Sequence, residues 1–200
     1  MTSAPLSPAE LERYARHLVL PDIGGPGQQK LKAARVLVIG AGGLGAPVLM
    51  YLAAAGIGHL GLVDDDHVSL SNLQRQIIHT TANVGMAKVE SAAALLTAIN
   101  PHPVLECHNV RLDDSNAAEM IVKYDVVVDG SDNFTTRFLV ADTCEQLEKT
   151  LVSGAVNRFD GSITTLQPFL AGKDGTPNPR YRDLFPEPPD ERTVLTCEEA

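Results

Sequence analysis

Residues 62–76 read "LVDDDHVSLSNLQRQ", three carboxylates followed by an Asn, an Arg and two Gln. Upstream, "VLVIGAGGLG" carries Gly40, Gly42 and Gly45 in the order G-x-G-x-x-G, with Gly43 inside it. Asp64 follows about twenty residues after Gly45, the spacing at which a nucleotide fold places a carboxylate for ribose hydroxyls. Asp66 is the nearby alternative. Glycines let the main chain turn sharply and approach a phosphate, and the helix that follows offers free N–H groups and a partial positive charge. A dinucleotide bound in this way needs little help from charged side chains. Here Asn72, Arg75 and Gln76 follow within a turn or so, and Lys88 opens the next helical segment. Arginine in particular suits bidentate phosphate grips. Asp132, in "VVVDGSDN", falls at the carboxyl end of a buried strand, where ligands bind in open α/β sheets. Two cations, two amides and an extra carboxylate around one glycine turn are equipment for a triphosphate with a metal ion. Each also has a plainer use. Arg75 and Lys88 could be solvated charges, Asp132 the cap of a helix starting at Asn133, and the glycines a tight strand–helix crossing.

The elements that must position these residues can be read from apolar periodicity. "RVLVIG" (35–40), "HLGLVD" (59–64), "VLECHNV" (104–110), "DVVVDG" (125–130) and "TLVSGAV" (150–156) are short apolar runs, read as strands. Between them lie helical segments: "GLGAPVLMYLAAAG", "GMAKVESAAALLTAIN", "SNAAEMIVKY" and "NFTTRFLVADTCEQLEK". A last strand, "GSITTLQPF" (161–169), follows a turn with no crossover helix, so it should pair antiparallel. The fold class is therefore α/β: a Rossmann-like open sheet, mostly parallel with an antiparallel edge, and helices on both faces. Residues 1–34 form an N-terminal helical segment, opened by Ser7 and Pro8 as helix-start signals, with Leu11, Tyr14 and Leu18 on one face. Residues 35–170 form the nucleotide-binding domain, and 171–200 a Pro-rich loop region.

Composition excludes several classes. The net charge of −9 and pI near 5.0 argue against a nucleic-acid surface. No apolar run approaches the ~20 residues that span a membrane, and the N-terminus lacks the order of a secretory signal, so a cytoplasmic protein is expected. The three cysteines, Cys107, Cys144 and Cys197, are odd in number and form no C-x-x-C, which gives neither a disulfide framework nor a cysteine zinc site. Cys107 and Cys144 are expected to be core or half-core residues. His67 and His79 are expected to be structural.

"RYARH", "GAGGLG", "DDDHVSLSNLQRQ", "VGMAKVESA", "DGSDNFTTR" and "TCEEA" together resemble the successive motifs of the ThiF/MoeB/HesA family, bacterial relatives of ubiquitin-activating enzymes. The likeness runs over residues 11–200 and is nearest to members that serve the molybdopterin-synthase sulfur carrier. It implies ATP- and Mg²⁺-dependent adenylation of the C-terminal Gly-Gly carboxylate of a ubiquitin-like sulfur carrier in molybdenum-cofactor biosynthesis. Thiamine biosynthesis is the close alternative. It implies further that Asp64 or Asp66 holds the ribose, that Asn72, Arg75, Gln76 and Lys88 serve the phosphates, and that Asp132 binds Mg²⁺. Arg16, in "RYARH", matches an arginine that reaches the triphosphate of a neighbouring subunit, which makes a homodimer the active unit.

Three departures from the family are visible. Arg180 and Asp183 stand where many members carry a zinc-binding C-x-x-C, so zinc is expected to be absent. Cys197 matches a position where some relatives place a cysteine that receives sulfur or forms a thioester. Relatives also continue well past residue 200. Two other classes stay open: an NAD-dependent oxidoreductase, for which no hydride-handling residue is evident, and a non-catalytic nucleotide-binding module.

Overall fold

The computed structural model describes residues 5–157 and 159–187. Six strands form one sheet: β1 (Arg35–Ile39), β2 (His59–Val63), β3 (Val104–His108), β4 (Val126–Asp129), β5 (Thr150–Asn157) and β6 (Asp160–Leu166). Their order is β3-β2-β1-β4-β5-β6. The four pairings from β3 to β5 are parallel, and β5–β6 is antiparallel, as the missing crossover helix requires. The expected sheet is thus present, with boundaries within a few residues of those read from the apolar runs.

Alternation along β1 divides the core. Val36 and Val38 pack on one face with Leu49, Leu60, Leu62 and Leu96, under α4 (Gly45–Ala55) and α5 (Lys88–Ile99). Leu37 and Ile39 pack on the other with Val127, Ile121 and Phe138, under α6 (Ala117–Ile121) and α7 (Phe134–Gln146). Both faces are buried, which is why the central strands read as continuous apolar runs and not as alternating ones. Edge strand β6 follows the other rule: Ile163 is 81% exposed.

The first helix of the N-terminal segment, expected to run unbroken over "SPAELERYARHLVL", is split in two. The segment forms α1 (Pro8–Arg13) and α2 (Ala15–Leu18), broken at Tyr14, and then α3 (Gly24–Ala33). Ser7 and Glu10 make a reciprocal capping box at the start of α1. Tyr14 is buried, but Leu11 is 46% exposed, so the apolar face is narrower than the spacing suggested. The break lets Tyr14 reach inward, where its hydroxyl accepts from Asn100 Nδ2 at 2.8 Å. His17 Nδ1 meets Gln28 Oε1 at 2.8 Å, and Gln28 Nε2 donates to the Ala55 carbonyl at 2.9 Å. These contacts seat the segment against the C-terminal ends of α4 and α5.

The Pro-rich stretch contains a further short helix, α8 (Tyr181–Leu184). Tyr181 is buried edge-on against Phe138, with ring centroids 5.2 Å apart, and Arg182 makes a two-point pair with Asp142 on α7. Of the cysteines, Cys144 is buried as expected, and burial pushes its thiol up to about 12. Cys107 is exposed, contrary to expectation, because β3 is the outer strand of the sheet. Cys197 lies outside the described residues. No helix among the described residues is long and apolar enough to cross a membrane.

Candidate nucleotide site

The order of the sheet reverses between β1 and β4, and the crevice at the carboxyl ends of those strands is where open α/β sheets bind ligands. The glycine turn lies there, between β1 and α4. Gly40 takes φ +89°, which L side chains rarely adopt, and a Cβ on Gly45 would overlap the Gly40 carbonyl. This part of the motif is needed to let the helix start against the strand. Gly42 and Gly43 have another surrounding. A Cβ on Gly42 would sit 3.6 Å from Gln76 Nε2, and one on Gly43 3.8 Å from Arg75 Cδ. The fold therefore brings "RQ" of the second motif directly over the glycine turn.

Asp64, at the end of β2, is tied to that turn. Its Oδ2 accepts from the Ala41 N–H at 2.7 Å and its Oδ1 from the Asp66 N–H at 2.9 Å. Burial raises its pKa, against the pull of Lys88 and these two N–H groups. Asp66 has a different partner: its Oδ2 pairs with Lys88 Nζ at 2.6 Å, the lysine buried and the aspartate side chain 60% exposed. The Lys88 N–H also donates to the Asp66 carbonyl at 2.9 Å. One hydrogen-bonded path thus joins the glycine turn, Asp64, Asp66 and Lys88. The carboxylates of Asp64, Asp65 and Asp66 lie within 4.8 Å of one another.

Asn72 spends its Oδ1 on its own 3-10 turn, accepting from the Ser69 N–H at 3.1 Å. Arg75 is half-buried; among the described residues its side chain makes one hydrogen bond, from Nη1 to the Ser71 carbonyl at 3.2 Å, and pairs with no carboxylate. Gln76 is 4% exposed, and its buried Oε1 has no hydrogen-bond partner. Asp132 is exposed and makes no hydrogen bond or ion pair among the described residues. It does not cap α7. That work is done by Asn133, whose Oδ1 accepts from the Thr136 N–H at 2.8 Å. Its loop runs beside the glycine turn, since a Cβ on Gly40 would lie 3.1 Å from the Gly130 carbonyl.

The expected residues Gly40, Gly42, Gly43, Gly45, Asp64, Asp66, Arg75, Gln76 and Lys88 are therefore gathered at one crevice, with the Asp132 loop at its rim. Arg16 is not. It sits exposed on α2, beside the far end of α4, and an eleven-residue helix is about 16 Å long. His79 is buried and structural, as expected, and it serves the turn. Its Nε2 meets the Ala41 carbonyl at 3.1 Å and its Nδ1 the Ser91 hydroxyl at 2.9 Å, while burial lowers its pKa. A neutral ring donating from Nε2 fits both contacts. His67 is exposed. Three residues that the sequence did not single out also shape the site: Ala41 carries the bonds to Asp64 and His79, and Asp129 and Arg137 are buried beneath the Asp132 loop.

The crevice suits a nucleoside triphosphate. Among the described residues it offers a glycine turn, a guanidinium with no carboxylate partner, a buried acceptor without a donor and an open carboxylate. A single carboxylate beside phosphates also fits Mg²⁺, which keeps several waters and takes few protein ligands. Zinc finds no such fit at Arg180 and Asp183. These two pair with each other, Arg180 Nη2 to Asp183 Oδ1 at 3.0 Å, and a guanidinium is no zinc ligand.

The sequence matches the ThiF family over residues 14–200. The chain belongs to this family. It is 49% identical over 197 residues to the "Probable adenylyltransferase/sulfurtransferase MoeZ" of Mycobacterium tuberculosis, covering 98% of the chain and 50% of that protein. It is 50% identical over 192 residues to the "Sulfur carrier protein adenylyltransferase" of Thermus thermophilus, covering 96% and 70%. The ThiF chain thus spans about half the length of the first of these relatives. Among solved structures, E. coli tRNA N6-threonylcarbamoyladenosine dehydratase, TcdA, superposes with a TM-score of 0.73 at 30% identity, over 78% of this chain and 66% of that one. E. coli MccB, solved with ATP, superposes with a TM-score of 0.65 at 27% identity, over 72% and 44%.

Proposed function

We propose that this ThiF-family chain is an ATP-dependent adenylyltransferase that activates the C-terminal carboxylate of a ubiquitin-like sulfur carrier ending in Gly-Gly. The observation that carries the reading is the placement of Arg75 and Gln76 over Gly42 and Gly43. A cation set on the phosphate cradle favours a highly charged triphosphate over the pyrophosphate of a dinucleotide. Named relatives that adenylate or transfer sulfur support the same reading. Within it, the carrier is that of molybdenum-cofactor biosynthesis, with the thiamine carrier as second choice, and the protein works in the cytoplasm. Its Pro-rich loop region uses no structural zinc.

Asp64 holds the ribose hydroxyls. It lies against the glycine turn, and each of its oxygens keeps a lone pair after accepting from the main chain. Arg75 and Lys88 neutralise the phosphates. Lysine has three donors, so Lys88 can remain on Asp66 while giving the others to the substrate. Gln76 and Asn72 orient the chain of phosphates. The attacking carboxylate is ionised at neutral pH, so no general base is required. Its oxygen bonds to the α-phosphorus, the bond from that phosphorus to the bridging oxygen breaks, and pyrophosphate leaves with the electron pair. Charge that grows on the leaving group meets Arg75, Lys88 and Arg16 of a second copy of the chain. Mg²⁺, held by Asp132, would supply further charge neutralisation there.

ATP–pyrophosphate exchange tests this function. Exchange should depend on a carrier ending in Gly-Gly and fall by about two to three powers of ten in the Asp132→Ala protein. Absence of exchange from full-length protein, together with tight NAD binding, would overturn it.

A further inference from the structure

Ser131 is held at both its N–H and its carbonyl by buried polar side chains. Its N–H donates to Asp129 Oδ1 at 2.9 Å. Its carbonyl accepts from Arg137 Nε at 3.2 Å and Nη2 at 2.7 Å. Asp129, at the end of β4, is 1% exposed, and Arg137, in the first turn of α7, is 8% exposed. Among the described residues neither forms an ion pair. Both side chains converge on one residue of the main chain, and Arg137 also lies over the Phe134 ring. Burial pushes the Asp129 carboxyl up, against the pull of Ser131, Arg137 and Ser153, so placing this acid at the end of β4 is costly. Helix α7 does not need them to start, because Asn133 already caps it. The start of the helix gives no reason for the pair.

Their position gives one. The next residue is Asp132, exposed and unpartnered, and the one after it is the capping Asn133. On its other side, Gly130 is packed so closely that an added Cβ would lie 3.3 Å from Gly45 N and 3.4 Å from Leu44 Cβ. Asp132 is therefore the one open side chain in a segment whose main chain is fixed before and after it. We propose that Asp129 and Arg137 are positioning residues that clamp the Ser131 peptide and so present the Asp132 carboxylate to a phosphate-bound divalent cation. The identity of what Asp132 meets rests on the nucleotide reading above, whereas the clamp stands on the geometry of the protein itself. Only Oδ1 of Asp129 is used, since its buried Oδ2 has no partner. An asparagine can therefore keep the clamp, and an alanine cannot.

Two measurements on the full chain test the proposal. The first is amide hydrogen exchange at Ser131 without nucleotide. The second is Mn²⁺ affinity, read by electron paramagnetic resonance with a non-hydrolysable ATP analogue, beside analogue affinity without metal. In Asp129→Ala and Arg137→Met, Ser131 should exchange faster. Mn²⁺ affinity should fall about tenfold or more, as it does when a group that orients a ligand is lost. Metal-free nucleotide affinity should hold. Asp129→Asn should retain slow exchange and Mn²⁺ affinity, and Arg137→Lys, with fewer donors, should fall between and serves where Arg137→Met is unstable. A merely structural role would lower metal-free and metal-bound affinities together, in step with thermal stability, and would overturn the proposal. Asp132→Asn with undiminished Mn²⁺ affinity would overturn it through the nucleotide reading. Loss in Asp132→Asn with none in the Asp129→Ala and Arg137→Met proteins would overturn the clamp alone.

Discussion

Two glycines of the same motif do different work, and substitution separates them. A Cβ on Gly45 overlaps the Gly40 carbonyl, so Gly45→Ala must push α4 away from β1. A cost of about 2 kcal/mol is expected, typical of overpacking, and should appear as a lower midpoint in denaturant unfolding. A Cβ on Gly42 meets only Gln76 Nε2, at an ordinary 3.6 Å. Gly42→Ala should leave the unfolding midpoint close to that of the parent and weaken nucleotide binding in a titration, because the phosphate loses its close approach. Equal loss of stability in both variants would contradict this division. The same scale shows what the sequence could disclose. Spacing from the glycines pointed to Asp64 and Asp66 together, but not to a choice between them. The choice depends on which carboxylate reaches the Ala41 N–H and which reaches Lys88, and that follows from the path of the loop after β2. Asp129 and Arg137 were silent because their partners include peptide groups, and His79 was read as structural without its tie to the Ala41 carbonyl. A main-chain partner leaves no residue type to recognise.

Elements were legible where one force dominated. Strands β1 and β4 are apolar and largely β-branched, and β2 is Leu-rich, because both faces are covered, and no competing pattern obscured them. The N-terminal segment was legible only in part, since its break at Tyr14 is driven by contacts with Asn100, distant in sequence. Its anchor gives a pH-dependent prediction. Burial of Glu10 opposes ionisation, but bonds from Lys32 and Ser7 prevail and bring its pKa from 4.5 to about 2. A lowered carboxylate pKa stabilises the fold above the unfolded value and loses that contribution as pH falls from 4.5 towards 2. Glu10→Gln should therefore cost about 2 kcal/mol at pH 7, as for a hydrogen bond to a charged group. The difference should shrink steadily below pH 4.5 in unfolding curves. Helix α8 was hidden in a Pro-rich stretch, because one buried Tyr carries its docking. Tyr181→Ala should cost about 3 kcal/mol for the lost aromatic packing. Limited proteolysis should then cut within 171–187 before the rest of the chain. The Arg180–Asp183 pair at the start of this helix also means that metal analysis of purified protein should find far less than one zinc per chain.

At the scale of the whole molecule, the site has the form of two pinned loops facing each other across the sheet's point of reversal. After β1, Ala41 is held at its N–H by Asp64 and at its carbonyl by His79. After β4, Ser131 is held at its N–H by Asp129 and at its carbonyl by Arg137. Rigid edges of this kind favour catalysis by positioning, on which phosphoryl chemistry depends most. One expected participant is missing from a single chain. Arg16 projects from α2 at the far end of α4, on a segment braced by Tyr14, His17 and Gln28 and flanked by the exposed side chains of Leu11, Val19 and Leu20. So firm a mounting for a cation with no partner among the described residues, beside apolar surface, fits a contact with a second copy in a two-fold dimer. Subunit mixing decides the matter. Arg16→Ala and Asp132→Ala should each be nearly inactive alone. In a heterodimer of the two, one site draws its Asp132 and its neighbouring Arg16 from unaltered sequence, and the other lacks both. Random mixing makes half of the dimers mixed, so exchange activity should recover to roughly a quarter of the parent's. If Arg16 served its own chain's site, every site would lack one group, and no mixture would exceed the activity of its components.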